Sequence, residues 1–336
     1  MRRLGVTADC APRAAFIASP VRIVFRHLLL FLLLATAARA AERDIVRTFP
    51  ALPGCSLRID SYRGQIQVSE ADTAEIRVAV HLEIGGGSEA EAEQLLRGLQ
   101  LDFATEGPVV SVVVRHPAES GVRFFWNEEK QIAPTFRVTI PRTCNLELRT
   151  RAGNILVGSV VGRVQARTEA GDIFLRLVEG KADVSVGAGD IVVSRCLGPV
   201  TARVMQGTIR AGTLVGACDL RTSSGPIEVQ SARGGGRIHA TAGDVILGIP
   251  RTFGGVAEVT TSGGDIRLDI DPAANCDVEA VSSLFASVRS QLPLVIGSGR
   301  DGSRKLAGKL NAGGNRVRVR ASGGGVRLQA GGEKAD

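Results

Sequence analysis

A glycine recurs at a fixed interval through the middle of the chain, at Gly153, Gly171, Gly189, Gly207, Gly225 and Gly243. Two residues after it stands Ile155, Ile173, Ile191, Ile209, Ile227 or Val245, and two further on Val157, Leu175, Val193, Ala211, Val229 or Leu247. Alternation of this kind marks one face of a short strand. The repeat is about 20 residues long and has no helical spacing inside it. It predicts stacked β coils, each burying its neighbour's apolar face.

The second half of each unit repeats the pattern, with Val164, Ala166 and Thr168, then Ala182, Val184 and Val186, then Val200, Ala202 and Val204, then Cys218, Leu220 and Thr222. Each coil therefore holds two strands. The turns between them carry Gly162, Gly180, Gly198 and Gly216, where a tightly bent backbone is expected. The expected fold is an all-β parallel β-solenoid, or β-helix, with 18-residue coils. Stacking places equivalent residues about 4.8 Å apart, so isoleucine lies on isoleucine. The unit returns at Gly264 after a three-residue insertion around Phe253–Gly255, and again at Gly324; an early copy reads Leu57, Ile59, Gly64, Ile66 and Val68.

One long excursion interrupts this pattern. Ile76, Val78, Val80 and Leu82 form an alternating strand, as do Val110, Val112 and Val114, and Phe136, Val138 and Ile140. Ser88 and Glu91 form a capping box that opens a helix with Ala92, Leu95, Leu96 and Leu99 on one face. An uncovered solenoid end would template aggregation, so this helix-bearing insertion is read as a cap, with a separate binding subdomain as the alternative. The expected organisation is residues 1–40 a signal peptide, 41–69 a first coil, 70–142 the capping insertion, 143–330 the repeats and 331–336 a disordered tail.

The signal peptide is read from Arg22 and Arg26, the apolar run LLLFLLLATAA and the small-residue pair Ala38 and Ala40, with cleavage between Ala40 and Ala41. That run is short for a spanning helix and no later stretch replaces it, so no transmembrane segment is expected after cleavage. The expected location is periplasmic, cell-surface or extracellular. The net charge is +7, but six arginines and one acid lie in the first 40 residues, leaving 35 basic and 33 acidic residues. A near-neutral chain has no basic field for nucleic acid.

Candidate chemistry is sparse. Asp172, Asp190, Asp244 and Asp265 follow the repeat glycine, and stacked carboxylates can hold Ca²⁺. The same column also contains Asn154, Thr208 and Pro226, a mixture better explained by turn-forming short side chains. His81, His116 and His239 are widely separated and have no nucleophile pattern beside them. No CxxC or HExxH occurs. No catalytic residue, metal or cofactor is expected.

Cys55 and Cys144 each stand nine residues before a repeat glycine, which puts them in one register. They read either as a disulfide of an exported protein or as two small buried residues. Phe124, Phe125 and Trp126 are the one aromatic cluster, suited to a protein or sugar contact or to plugging the end of the stack.

The run TFRVTIPRTCNLELRTRAGNILVGSVVGRVQARTEAGDI, with the later SGGDI and KLNAGGNRVRVRASGGGVRL segments, resembles the bacterial putative-adhesin family. That resemblance covers residues 45–330 and implies an exported or membrane-anchored β-strand-repeat domain without catalytic residues. The expected function is a noncatalytic envelope or surface scaffold whose partner is an envelope protein or glycan. A carbohydrate-active β-helix enzyme and an envelope-sensing regulatory domain are the alternatives.

Overall fold

The computed structural model describes residues 41–84, 99–115 and 132–331, and every regular element among them is a β-strand. The first seven are β1 (Ala41–Pro50), β2 (Ser56–Ser61), β3 (Gln65–Ala71), β4 (Glu75–Ile84), β5 (Gln100–Glu106), β6 (Val109–Arg115) and β7 (Ile132–Pro141). The repeats supply β8 (Asn145–Ala152), β9 (Ile155–Val160), β10 (Val164–Ala170), β11 (Ile173–Val178), β12 (Ala182–Ala188), β13 (Ile191–Cys196) and β14 (Val200–Gln206). They continue as β15 (Ile209–Leu214), β16 (Cys218–Ser224), β17 (Ile227–Ala232), β18 (Gly236–Ala242), β19 (Val245–Ile249), β20 (Val256–Gly263) and β21 (Ile266–Ile270). The last six are β22 (Cys276–Val281), β23 (Val288–Ser290), β24 (Val295–Gly299), β25 (Lys305–Leu310), β26 (Asn315–Ala321) and β27 (Val326–Ala330).

These strands form two large, mostly parallel sheets. Sheet A has 13 strands in the order β1-β4-β7-β3-β9-β11-β13-β15-β17-β19-β21-β27-β23, and sheet B has 14 in the order β24-β25-β22-β26-β20-β18-β16-β14-β12-β10-β8-β2-β6-β5. From β8 to β21 consecutive strands alternate between the sheets, and each up to β19 pairs in parallel with the strand one repeat later. Ile173 lies opposite Ile191, Ile191 opposite Ile209, and Ile209 opposite Ile227, all with no accessible surface. Each such side chain stabilises the fold by about 2–3 kcal/mol through burial. After Phe253 the register step lengthens by the inserted loop, with Ile238 opposite Val259 and Val245 opposite Ile266, as the sequence predicts.

Backbone packing explains the glycines. Gly189 has φ 135°, and a Cβ there would sit 2.3 Å from the carbonyl oxygen of Gly171. At the opposite turn a Cβ on Gly198 would meet the Gly180 oxygen at 2.3 Å. Coils stack so closely at both turns that no side chain fits between them.

The expected strands of the early excursion are present as β4, β6 and β7. In sheet A, β7 pairs in parallel with β3, and β4 lies antiparallel between β7 and β1; in sheet B, β6 pairs with β2 and carries β5 antiparallel on its outer side. The coil pairing itself begins at β2 and β3, which lie beside β8 and β9. Of the expected helix, Ser88, Glu91, Ala92, Leu95 and Leu96 lie outside the described residues, as do residues 1–40. Leu99 is described and packs against the core.

One expectation is corrected: the repeat is interrupted twice. A long intervening segment separates β26 from its partner β20 and β27 from its partner β21, as in Ala257 opposite Val317 and Ile266 opposite Val326. That segment holds β22 to β25, which extend the far ends of both sheets. Its irregular turns carry no periodic glycine signal, so the repeat stops without announcing that the sheets continue. No helix among the described residues is long and apolar enough to cross a membrane.

Candidate functional site

The aspartate column is a structural ladder. The N–H of Asp172 donates to Asn154 Oδ1, that of Asp190 to Asp172 Oδ1, and that of Thr208 to Asp190 Oδ1, each at 2.8 Å. Further along, the N–H of Asp265 donates to Asp244 Oδ1 and that of Gly325 to Asp265 Oδ1, also at 2.8 Å. At this turn the N–H points along the stack and finds no main-chain acceptor in the next coil, so the short side chain below supplies one. Pro226 has no N–H, so Thr208 beneath it has no donor to satisfy. Asn and Asp stand where the next N–H needs an acceptor, and Thr208 stands where none is needed. Among the described residues no three His, Cys, Asp or Glu side chains gather as a metal site.

The histidines and cysteines are equally dispersed. His81 Nδ1 lies 2.7 Å from Asp44 Oδ1 across the β1–β4 pair, and His239 Nδ1 lies 2.8 Å from Thr260 Oγ1; His116 is outside the described residues. Cys55 and Cys144 are buried free thiols immediately before the neighbouring strands β2 and β8, where the N–H of Asn145 donates to the Cys55 carbonyl at 3.0 Å. Burial, and then the adjoining Cys55, push the Cys144 thiol well above its ordinary range. Cys196 and Cys276 are raised by burial to about 11, and Cys218 to about 12. Such thiols are poor nucleophiles. Phe124, Phe125 and Trp126 lie outside the described residues.

Sequence reasoning missed a groove on the outer face of sheet A. In β11 the buried residues are Ile173, Leu175 and Val178, so the inward step lengthens from two residues to three. The same pattern recurs in β9, β13 and β15, leaving two consecutive residues facing outward in each coil. Where outward residues are small, as at Ser194 and Gly212 in these pairs and at Gly248 of β19, a channel of about 810 Å³ opens across β13 to β19 and reaches Asp269 on β21. Arg195, Arg210, Glu228 and Gln230 line it. Arg210 reaches Asp190 at 3.0 Å and Glu228 at 3.8 Å, and Arg267 meets Asp269 at 3.3 Å. On β11, Arg176 pairs with Glu70. There burial pushes the Glu70 carboxyl up, but the Ser159 N–H at 2.8 Å and Arg176 outweigh it and hold the group below its ordinary value. The signal was the third-position step in the apolar pattern, which strict alternation hides.

No protein-family model and no curated protein matches the chain. Among solved structures, similar chains include a putative adhesin from Bacteroides fragilis at 9% identity, covering 86% of this chain and 98% of that one with a TM-score of 0.39. A putative lipid binding protein from Parabacteroides distasonis is 11% identical and covers 85% of this chain and 96% of that one, with a TM-score of 0.41. A putative adhesin from Parabacteroides merdae is 10% identical, with coverages of 85% and 96% and a TM-score of 0.38.

Proposed function

We propose that this chain is an exported, noncatalytic envelope or cell-surface protein of adhesin type, whose two sheets wind as a β-solenoid that presents its outer faces to a protein or glycan of the envelope. The channel on sheet A carries this reading. Its polar side chains repeat along one axis at strand spacing, which suits an extended partner contacted at several successive positions. In this reading the signal peptide directs export, and the strands of residues 70–142 close one end of the stack.

A carbohydrate-active enzyme remains the competing class, because Glu228 and Asp269 both border the channel. Each faces an arginine, an arrangement suited to holding charge in place. The test is binding of the purified protein to envelope glycans and proteins, with Ser194→Trp filling the channel from an exposed position. Loss of binding at unchanged melting temperature supports the scaffold reading. Cleavage of a polysaccharide panel that Glu228→Gln abolishes moves the enzyme to first place.

A further inference from the structure

The end of the stack farthest from β1 and β5 exposes an apolar turn among unpaired cations. Phe285 is fully exposed and Leu284 is 68% exposed, although the turn that carries them is well tied down. Ser282 Oγ donates to the Ala286 carbonyl at 3.0 Å, the Ser282 N–H to the Arg304 carbonyl at 2.9 Å, and the Ser283 N–H to the Gly324 carbonyl at 3.3 Å. Two large apolar side chains held out into water by an ordered turn are costly unless something covers them.

The surrounding charge identifies what covers them. On the outer face of sheet A, Arg267 is directly opposite Arg327, and Arg327 opposite Arg289. Like charges in register on adjacent strands repel. Arg267 is relieved by Asp269, whereas Arg289 and Arg327 have no ion pair among the described residues, nor do Arg300 and Arg304 beside the turn. The nearby acids are engaged: Asp301 accepts the N–H of Ser290, Asp265 accepts that of Gly325, and Glu279 faces Lys305 at 3.7 Å and Arg318 at 3.9 Å.

We propose that the Leu284–Phe285 turn and the arginines around it dock this end of the protein on an anionic lipid surface, with the two apolar side chains at the acyl boundary and the guanidinium groups among the headgroups. An apolar tip ringed by cations is the arrangement that interfacial binding requires. A second copy of the chain is the rival occupant, since β24 is an edge strand with Val295 and Ile296 exposed. That edge is blunted by Pro293 at its entry and by an irregularity between Ile296 and Ser298, features that oppose strand addition.

The test uses the full chain and vesicles of phosphatidylcholine with or without phosphatidylglycerol. Phe285→Trp places a fluorophore at the tip, and bromine on the acyl chains of the anionic vesicles should quench it beyond the quenching of Trp126 in the parent protein. The same lipid without phosphatidylglycerol should quench it little. Leu284→Ser with Phe285→Ser should lower binding to anionic vesicles about tenfold or more at unchanged melting temperature. Removing Arg289 and Arg327 should weaken it about fivefold per arginine. No added quenching in anionic vesicles overturns the proposal. So does a dimer in sedimentation equilibrium, without lipid, that the double serine variant dissociates, because the patch would then belong to a second copy.

Discussion

The regular coils of β8 to β21 and the irregular segment of β22 to β25 belong to the same two sheets, yet different requirements hold them. In the coils each position stands on its own equivalent, so one residue type is demanded repeatedly: isoleucine inside, glycine at the turns, Asn or Asp beneath a donor. In β22 to β25 each strand meets a different neighbour. There β25 runs antiparallel to both β22 and β24, and all five residues of β24 are exposed. Repetition makes the coils intolerant of substitution, and its absence leaves the far end free to carry exposed apolar and basic side chains.

The largest test of this contrast is Ile191→Asp. The carboxylate would enter an apolar column between Ile173 and Ile209, and the loss should be several kcal/mol or complete unfolding, read by thermal melting. Next comes Gly189→Ala, whose Cβ collides with the neighbouring coil in a positive-φ backbone; a cost of about 2 kcal/mol or more is expected. Gly297→Ala in β24, where a Cβ would meet nothing closer than 3.9 Å, should stay within about 0.5 kcal/mol. Equal effects at the two glycines would break the contrast.

Alkaline pH probes both regions together. Burial raises the thiols of Cys196 in the coils and Cys276 beyond them to about 11. Between an unfolded value near 9 and 11 the unfolded chain releases these protons while the folded chain keeps them. Stability should therefore be full below about pH 9 and fall as pH rises toward 11, by about 2 kcal/mol per thiol. Denaturant melts across that range should show the fall reduced in Cys196→Ala.

Asp172→Ala leaves the Asp190 N–H without its side-chain acceptor and should cost about 1 kcal/mol. Asp172→Asn keeps the oxygen and should be silent. Melting temperature should be the same with and without calcium in both variants; a calcium-dependent rise that Asp172→Asn abolishes would replace the ladder with a metal site. Smallest of all is Arg203→Ala, an exposed residue 3.8 Å from Asp183, where a change below about 0.5 kcal/mol is expected.

Much of the repeat pairing within the two sheets was legible residue by residue, because parallel pairing turns a spatial neighbour into a fixed sequence offset. Ile155, Ile173 and Ile191 lie in one column because each is one full coil beyond the last, and Gly153, Gly171 and Gly189 stack for the same reason. The turn glycines, the alternating inward residues from Ile155 to Leu247 and the insertion near Phe253 all follow from that offset.

What the sequence did not yield is whatever breaks the offset or depends on a direction in space. The pairing of β20 with β26 joins strands separated by β21 to β25, a distance along the chain that the repeat offset does not record. The ladder of Asp172, Asp190 and Asp265 depends on where each main-chain N–H points. The channel over Ser194, Gly212 and Gly248 depends on the bend that turns two consecutive side chains outward. Sequence alone determined the alternating inward residues of each repeat, since their burial recurs with the chain; the tertiary structure decided where that alternation breaks, as at Val160, Val178, Cys196 and Leu214, which edges meet and what the outer faces bring together, since these are relations between distant segments whose surfaces the hydrophobic period does not constrain.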